Sequence, residues 1–324
     1  MRFDDFDRVI LFGAGSVLKY SAEYFASNKI RVSVFTSPRL YDKKVEDDFR
    51  DNQFIEYESK KNIYDAKIIE LLDNCNCIGF SFGSPWIFKK DFISKFKGKL
   101  LNMHSMPLPL FQGGASISWM IMNGTREGNC LIHQIDEGID TGKVVYQEPF
   151  RFPERIKKPI EFERILTEKN IDFIKKFIIK VKNKTNIHLS DLSQNHSVYF
   201  PRLHTDTHGY INWDCNVEDI YKFINAFDEP YPGAMTFLYG EKIRIKNVEF
   251  ERNNFNVHPF MNGLIFRITK ESIYVFASKG ALIVKNVLDC EGKIIRDAIK
   301  LGDRFTTPSK YLESAKETRV FFLP

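Results

Sequence analysis

Three short apolar runs separated by helix-patterned segments dominate the first third of the chain. Arg8-Val9-Ile10-Leu11-Phe12 ends at Gly13-Ala14-Gly15 and is followed by apolar positions 18, 20, 22 and 25. Residues 30–35 form a second run that stops at Thr36-Ser37-Pro38, residues 65–72 read as a helix, and residues 77–82 form a third, buried run. This strand–helix–strand–helix–strand order constrains the fold strongly. It predicts a parallel sheet with right-handed crossovers, hence an α/β domain. Residues 131–135 and 143–147 add two strands joined by a tight acidic turn.

The remainder changes character. Residues 160–184 carry apolar side chains at 160, 162, 165, 166, 171, 173, 174, 177, 178, 179 and 181, an amphipathic helix with Lys175, Lys176, Lys180, Lys182 and Lys184 on or near its wet side. Residues 185–196 are mostly polar without a period and read as a linker. Residues 217–227 look helical and end at Pro230-Tyr231-Pro232-Gly233. Four short runs with Gly and Asn turns follow (242–250, 263–268, 272–276 and 281–287), predicting a small antiparallel barrel.

Composition enters as a filter. At roughly 150 residues per domain, 324 residues suggest two domains. Apolar residues at 43% and charged residues at 27%, with 30 phenylalanines, exclude wholesale disorder. The longest stretch free of Lys, Arg, Asp and Glu, 100–125, is long enough for a membrane helix, but Pro107, Pro109 and the pair Gly113-Gly114 forbid a lipid-exposed one. The charged start, Met1-Arg2-Phe3-Asp4-Asp5, does not resemble a secretion signal. Five scattered cysteines, among them Cys75 and Cys77 read as two inert thiols, fit a reducing cytoplasm. A net charge of +5 permits an anionic ligand without demanding one. No clustered ligand set points to a metal.

Gly13-Ala14-Gly15 after a strand raises the question of a dinucleotide site. The full fingerprint needs a third glycine, where this chain has Leu18, and a carboxylate at the end of the second strand, where it has Phe35-Thr36-Ser37. The loop therefore reads as a tight strand-to-helix turn, with an anion at the helix N-terminus left open.

The segments that carry chemistry are Leu100-Leu101-Asn102-Met103-His104-Ser105 and Leu131-Ile132-His133-Gln134-Ile135-Asp136-Glu137-Gly138-Ile139-Asp140-Thr141-Gly142. Asn102 and His104 are two apart, so an extended segment points both the same way. They emerge at the end of a buried strand, where open α/β sheets place ligands. Asp140 sits on a turn between strands. An amide donor, an imidazole and a carboxylate on a surface poor in other charge suit acyl-group transfer. A core histidine and a plain turn aspartate remain the bland alternative on spacing alone.

Asn102-Met103-His104, then Pro107-Leu108-Pro109, Gly113-Gly114-Ala115 and 132–142, resembles the folate-dependent formyltransferases, a family that includes glycinamide ribonucleotide, methionyl-tRNA and nucleotide-sugar formyltransferases. The resemblance covers residues 1–190 as a Rossmann-like catalytic domain. It continues more loosely through Ile211-Asn212-Trp213, Ala226-Phe227 and Pro232-Gly233-Ala234, with 191–234 connecting to an OB-like barrel over 235–324 that closes near Gly302-Asp303-Arg304-Phe305. It implies 10-formyltetrahydrofolate as co-substrate and no metal. It also implies that Asn102 holds the formyl oxygen, that His104 stabilises the tetrahedral intermediate, and that Asp140 partners His104 and accepts or relays the amine's proton. His133 is a supporting residue or a structural one. The cofactor pocket would involve Pro85, Trp86, Ile87 and Phe88 with Asp136, Glu137 and Asp140, Trp86 being alternatively core.

The acceptor must be a primary amine. The segment Phe111-Gln112-Gly113-Gly114-Ala115-Ser116 and the mixed-charge stretch 37–48 depart from the transfer-RNA enzymes, whose phosphate contacts need concentrated cations. Residues 199–213 look similar to the sugar N-formyltransferases. The resemblance therefore implies a dTDP-, UDP- or GDP-linked amino sugar as partner, for O-antigen or lipopolysaccharide biosynthesis in the cytoplasm, with Gln112, Gly113 and Arg202 contacting it. Arg202 is equally readable as a surface ion-pair residue. Methionyl-tRNA is the alternative acceptor, otherwise no nucleic acid and no membrane are expected, and homodimerisation is left open.

Overall fold

Alternate residues of the first strand serve two different cores. The computed structural model describes residues 1–3, 5–252 and 257–321. Its first half contains β1 (Arg8–Gly13), α1 (Ser16–Ser27), β2 (Arg31–Thr36), α2 (Lys43–Phe49), β3 (Ile55–Ser59), α3 (Ala66–Asn74), β4 (Cys77–Phe82), α4 (Lys90–Lys95) and β5 (Leu100–His104). Then come β6 (Gln112–Gly113), α5 (Ser116–Asn123), β7 (Glu127–Gln134), β8 (Val144–Arg151) and α6 (Pro159–Lys182).

Seven of these strands form one sheet in the order β3-β2-β1-β4-β5-β7-β8. The first five run parallel, as the alternation predicts for β1, β2 and β4, whereas α2 and the parallel edge strand β3 lie in a stretch that carried no strand reading, and β7 and β8 lie antiparallel at the other edge. Val9 and Leu11 pack with Phe173 and Phe177 of α6 on one face, and Ile10 and Phe12 with Ile68, Phe92 and Phe96 on the other. At the end of β1 a Cβ on Gly13 would lie 2.2 Å from the Phe82 carbonyl oxygen, and Gly15 has φ +98°. Close strand packing and a left-handed turn thus account for both glycines without a dinucleotide.

The second half holds β9 (Tyr199–Phe200), α7 (Thr205–His208), α8 (Val217–Ala226), β10 (Ala234–Leu238), β11 (Glu241–Arg252), β12 (Ile265–Ile268), β13 (Ile273–Ala277), β14 (Gly280–Leu288) and α9 (Ser309–Glu317). Its antiparallel sheet has the order β10-β11-β14-β13-β12. Residues 303–306 join the two edges: Ile265 N–H donates to Asp303 O (2.8 Å), Phe305 N–H to Gly263 O (2.9 Å) and Phe237 N–H to Thr306 O (2.8 Å). Residues 303–306 thereby bridge edge strand β10 and the start of edge strand β12, which closes the sheet toward the expected barrel.

Met120, Phe152 and Phe162 share one core with Ile211, Trp213, Phe227 and Phe305, so α5 and α6 pack directly onto the barrel side of the molecule.

Two local readings change. Residues 185–196 do not form a plain polar linker. Ile187 is buried and its N–H donates to Met1 O (2.7 Å), while Ser190 and Val144 exchange backbone hydrogen bonds (2.8 and 3.0 Å), because the edge strand β8 offers unpaired groups. Cys75 and Cys77, read as free thiols, are joined in a disulfide, their Cα atoms 5.6 Å apart and within bonding reach. Among the described residues no helix is long and apolar enough to cross a membrane.

Candidate active site

β5 is flanked by parallel β4 and antiparallel β7, which places its end at the junction of the sheet's two halves. Asn102 and His104 project from the same side of this strand, as their spacing requires. In the antiparallel register Asn102 lies directly opposite His133. Opposed residues share a face, so the strand pairing adds a second imidazole to the pair legible in sequence.

The loop between β7 and β8 supplies Asp140, which has φ +55°. The loop is tight. A Cβ on Gly142 would lie 1.9 Å from Gln134 O, and one on Gly138 2.1 Å from Thr141 Oγ1. Asp136 Oδ1 accepts from Gly138 N–H (3.1 Å) and from Thr141 Oγ1–H (2.6 Å), so its carboxylate shapes the turn. Asp140 is tied to β6 twice: Gly113 N–H donates to Oδ2 (2.9 Å), and Gln112 Nε2–H to the Asp140 carbonyl (3.2 Å).

The polar atoms converge. Asn102 Nδ2–H donates to His133 Nε2 (3.1 Å) and, more weakly, to Asp140 Oδ1 (3.4 Å). Asp140 Oδ1 lies 3.8 Å from His104 Nδ1 and 3.4 Å from His133 Nε2.

A backbone carbonyl partner fixes one nitrogen of each ring as a donor. His104 Nε2–H donates to Phe111 O (2.8 Å), leaving a lone pair on Nδ1 towards Asp140. His133 Nδ1–H donates to Gln134 O (2.7 Å), leaving Nε2 facing the Asn102 amide and Asp140.

Burial lowers the His104 pKa, and the charge of His133 adds to this, against the opposing pull of Asp140. Burial alone would raise the Asp140 carboxyl. The hydrogen bond and charge of His133, the charge of His104 and the Gly113 N–H outweigh it and hold Asp140 at about 2. The site thus combines an amide donor, a neutral imidazole with an unblocked nitrogen and a carboxylate kept ionised. That set can polarise a carbonyl and take a proton from an attacking amine.

The other anticipated residues divide. Trp86 and Phe88 are only 7% and 8% exposed and belong to the core beneath β1. Ile87, 71% exposed, projects from the same loop. Lys90 Nζ pairs with Glu137 Oε1 (3.2 Å), tying that loop to the Asp140 loop, where Ile139 is also exposed. Gln112 and Gly113 meet Asp140 as described. Arg202 is exposed, makes no ion pair among the described residues, and lies along Gly114, where a Cβ would come 2.5 Å from its Cγ. His133 is the residue that sequence left undecided; only the β5–β7 register could settle where it stands.

Family models match both halves of the chain: "Formyl transferase" over residues 9–155 and "Formyl transferase, C-terminal domain" over 204–298. The chain belongs to the folate-dependent formyltransferase family.

Among this family's curated members, methionyl-tRNA formyltransferase of Finegoldia magna is 25% identical over 239 residues, covering 71% of this chain and 72% of that protein. The bifunctional polymyxin resistance protein ArnA of Wigglesworthia glossinidia brevipalpis is 25% identical over 223 residues, 68% of this chain, but the match spans only 34% of that longer protein.

In fold the chain is similar to WlaRD, a sugar 3N-formyltransferase solved with dTDP and 5-N-formyl-THF (TM-score 0.64, 19% identity, 87% of this chain and 98% of that one). It is similar also to an N-formyltransferase of Helicobacter canadensis solved with folinic acid and dTDP-3-aminofucose (TM-score 0.63, 20% identity, 86% and 98%).

Proposed function

We propose that this formyltransferase moves the formyl group of 10-formyltetrahydrofolate to the amine of a nucleotide-diphosphate-linked amino sugar. The observation that carries the transfer chemistry is the convergence of Asn102, His104 and His133 on the single carboxylate of Asp140. The exposed aliphatics Ile87 and Ile139, on two loops tied by Lys90 and Glu137, suit a flat heteroaromatic ring, so the residues present fit a folate.

The folate supplies the formyl group. Asn102 gives up its weaker 3.4 Å contact to Asp140 and donates to the formyl oxygen as negative charge develops there. His104 Nδ1 takes the proton of the attacking amine as the amine nitrogen bonds to the formyl carbon, because a carboxylate held at about 2 is too weak a base to keep it, and gives that proton to the folate nitrogen as the bond from that nitrogen to the formyl carbon breaks. Asp140 then steadies the imidazolium, in the partnership expected from sequence. Residues 1–190 would act as the catalytic unit, 191–234 as the connection and 235–324 as the barrel.

The sugar reading is favoured over methionyl-tRNA by the two sugar N-formyltransferases of similar fold and by the segment after β2. There Lys43 pairs with Glu46 and Asp47, Arg50 with Asp47, and Lys19 with Asp48, so these cations are engaged with carboxylates. Phosphate-backbone binding calls for cations not so engaged. On this reading the product serves cell-surface polysaccharide assembly, O-antigen or lipopolysaccharide, and the enzyme works in the cytoplasm.

Incubation with the folate and dTDP-, UDP- and GDP-linked amino sugars should add the mass of one formyl group to one of them. Transfer to charged initiator tRNA, with none to any sugar, would establish the alternative.

A further inference from the structure

A cavity among the described residues lies beside the catalytic cluster, and none of Asn102, His104, His133 or Asp140 lines it. It encloses about 750 Å³ and is lined among others by Trp119 of α5, Asn212, Phe223 of α8, and Lys316 and Arg319 of the C-terminal segment. This volume is in the range of small-molecule sites, roughly 300–1,000 Å³.

Residues 199–203 run between cavity and cluster, Tyr199 and Phe200 pairing with Gln112 and Gly113. Pro201 and Leu203 line the cavity, whereas Arg202 between them lies along Gly114. Just before them, Phe200 stacks on Phe111 (5.2 Å between centroids) and on Trp119 (5.3 Å). Phe111 carries the carbonyl that anchors His104, and Gly113 the N–H that holds Asp140. Contacts therefore run from Trp119 through Phe200 and Phe111 to His104, and from Arg202 past Gly114 to the Gly113–Asp140 hydrogen bond.

The lining has a definite chemistry. Trp119 and Phe223 offer rings on which a base can stack. Asn212 Oδ1 accepts from Asp214 N–H (3.1 Å), and its amide N–H makes no hydrogen bond among the described residues, so it is free to read a base edge. Lys316, Arg319 and Arg202 make no ion pair among the described residues. Of the two carboxylates in the lining, Asp219 accepts from the Asn216 amide (2.6 Å), leaving Glu317 as the opposing charge.

We propose that this cavity holds the nucleoside diphosphate of the acceptor. The base stacks on the rings, Lys316 and Arg319 meet the phosphates, Arg202 stands at the exit, and the amino sugar extends over Gly113 and Gly114 to Asp140. The assignment rests on a nucleotide-linked acceptor and extends that reading to the residues that select the carrier.

The test titrates dTDP, UDP and GDP, without sugar, into the full chain and follows tryptophan emission and binding heat. At least one nucleotide should quench emission, and the quench should vanish in Trp119→Phe, which keeps the ring stack on Phe200 while Trp86 and Trp213 remain. Arg202→Ala and Lys316→Ala should each raise the nucleotide Kd by about tenfold or more, the worth of a hydrogen bond to charge. In the transfer assay both should raise the acceptor KM and leave kcat within about twofold.

Formyl transfer to a nucleotide sugar whose KM is indifferent to Lys316→Ala, Asn212→Ala and Arg202→Ala overturns the cavity assignment while sparing the acceptor reading. Nucleotide binding that depends on Lys316, without transfer to any amino sugar, upholds the cavity and removes the acceptor reading. Failure of all three nucleotides to bind overturns the cavity assignment.

Discussion

Gly113 N–H donates to Asp140 Oδ2 at 2.9 Å, so the backbone of β6 steadies a carboxylate carried by the loop after β7. Gly113 can do this only as glycine: its φ is +98°, and a Cβ there would lie 2.3 Å from Phe200 O. Gly113→Ala should therefore part β6 from β9 and cost about 2 kcal/mol or more in backbone strain and contact. Urea denaturation measures the loss, and turnover should fall with it because Asp140 loses its holder. Unchanged stability together with unchanged kcat would contradict this coupling.

Asp140→Asn keeps the shape and tolerates the left-handed φ of +55°, since asparagine enters that region readily. It removes the charge that steadies His104. We expect kcat to drop about 10²- to 10⁴-fold with folate KM little changed. Steady-state kinetics decide; a variant that turned over normally once saturated would rule out the assigned role.

Acid stability follows from the same residue. Its carboxyl is held at about 2 against an ordinary 3.8. A depressed carboxyl stabilises the fold above its unfolded value, and this contribution is lost as pH falls through the folded value. The window is thus between 3.8 and about 2, and the size about 2 kcal/mol. Urea midpoints of wild type should fall more steeply across this window than those of Asp140→Asn; parallel curves would show that the carboxylate is not stabilised.

His104 has the opposite ionic preference, because burial favours its neutral ring. A histidine with a depressed pKa stabilises the fold above 6.5, and that stability is lost as pH drops through its folded value. If its Nδ1 takes the amine's proton, the acid limb of kcat/KM must fall below pH 6.5. A limb above that value would assign the proton to another group.

Asn102→Ala removes the amide that reaches His133 and Asp140. Loss of one oxyanion donor typically costs about 10²- to 10³-fold in kcat, and that is the drop expected here. Measuring kcat beside the folate Kd separates this from a binding defect: a raised Kd with kcat intact would make Asn102 a binding residue.

The sequence by itself determined the elements with strong local periodicity, among them β1, α1, β2, β4 and α6 but not α2 or β3, and the ends of the chemistry. The strand–helix alternation of residues 8–82, the two-residue spacing of Asn102 and His104, and the turn that bears Asp140 are all local patterns, written within a few residues of one another. What only the tertiary structure decided lies between segments far apart in the chain. The register of β5 against β7 sets His133 opposite Asn102. The pairing of β6 with β9 brings Gly113 beside the 199–203 strip, and the Phe111 carbonyl selects the tautomer of His104. Packing likewise placed Trp86 and Phe88 in the core and left Ile87 on the surface. Periodicity records which face of its own segment a residue occupies. It carries no record of which distant backbone that face will meet, because pairing is set by the balance of burial and hydrogen bonding over the whole sheet.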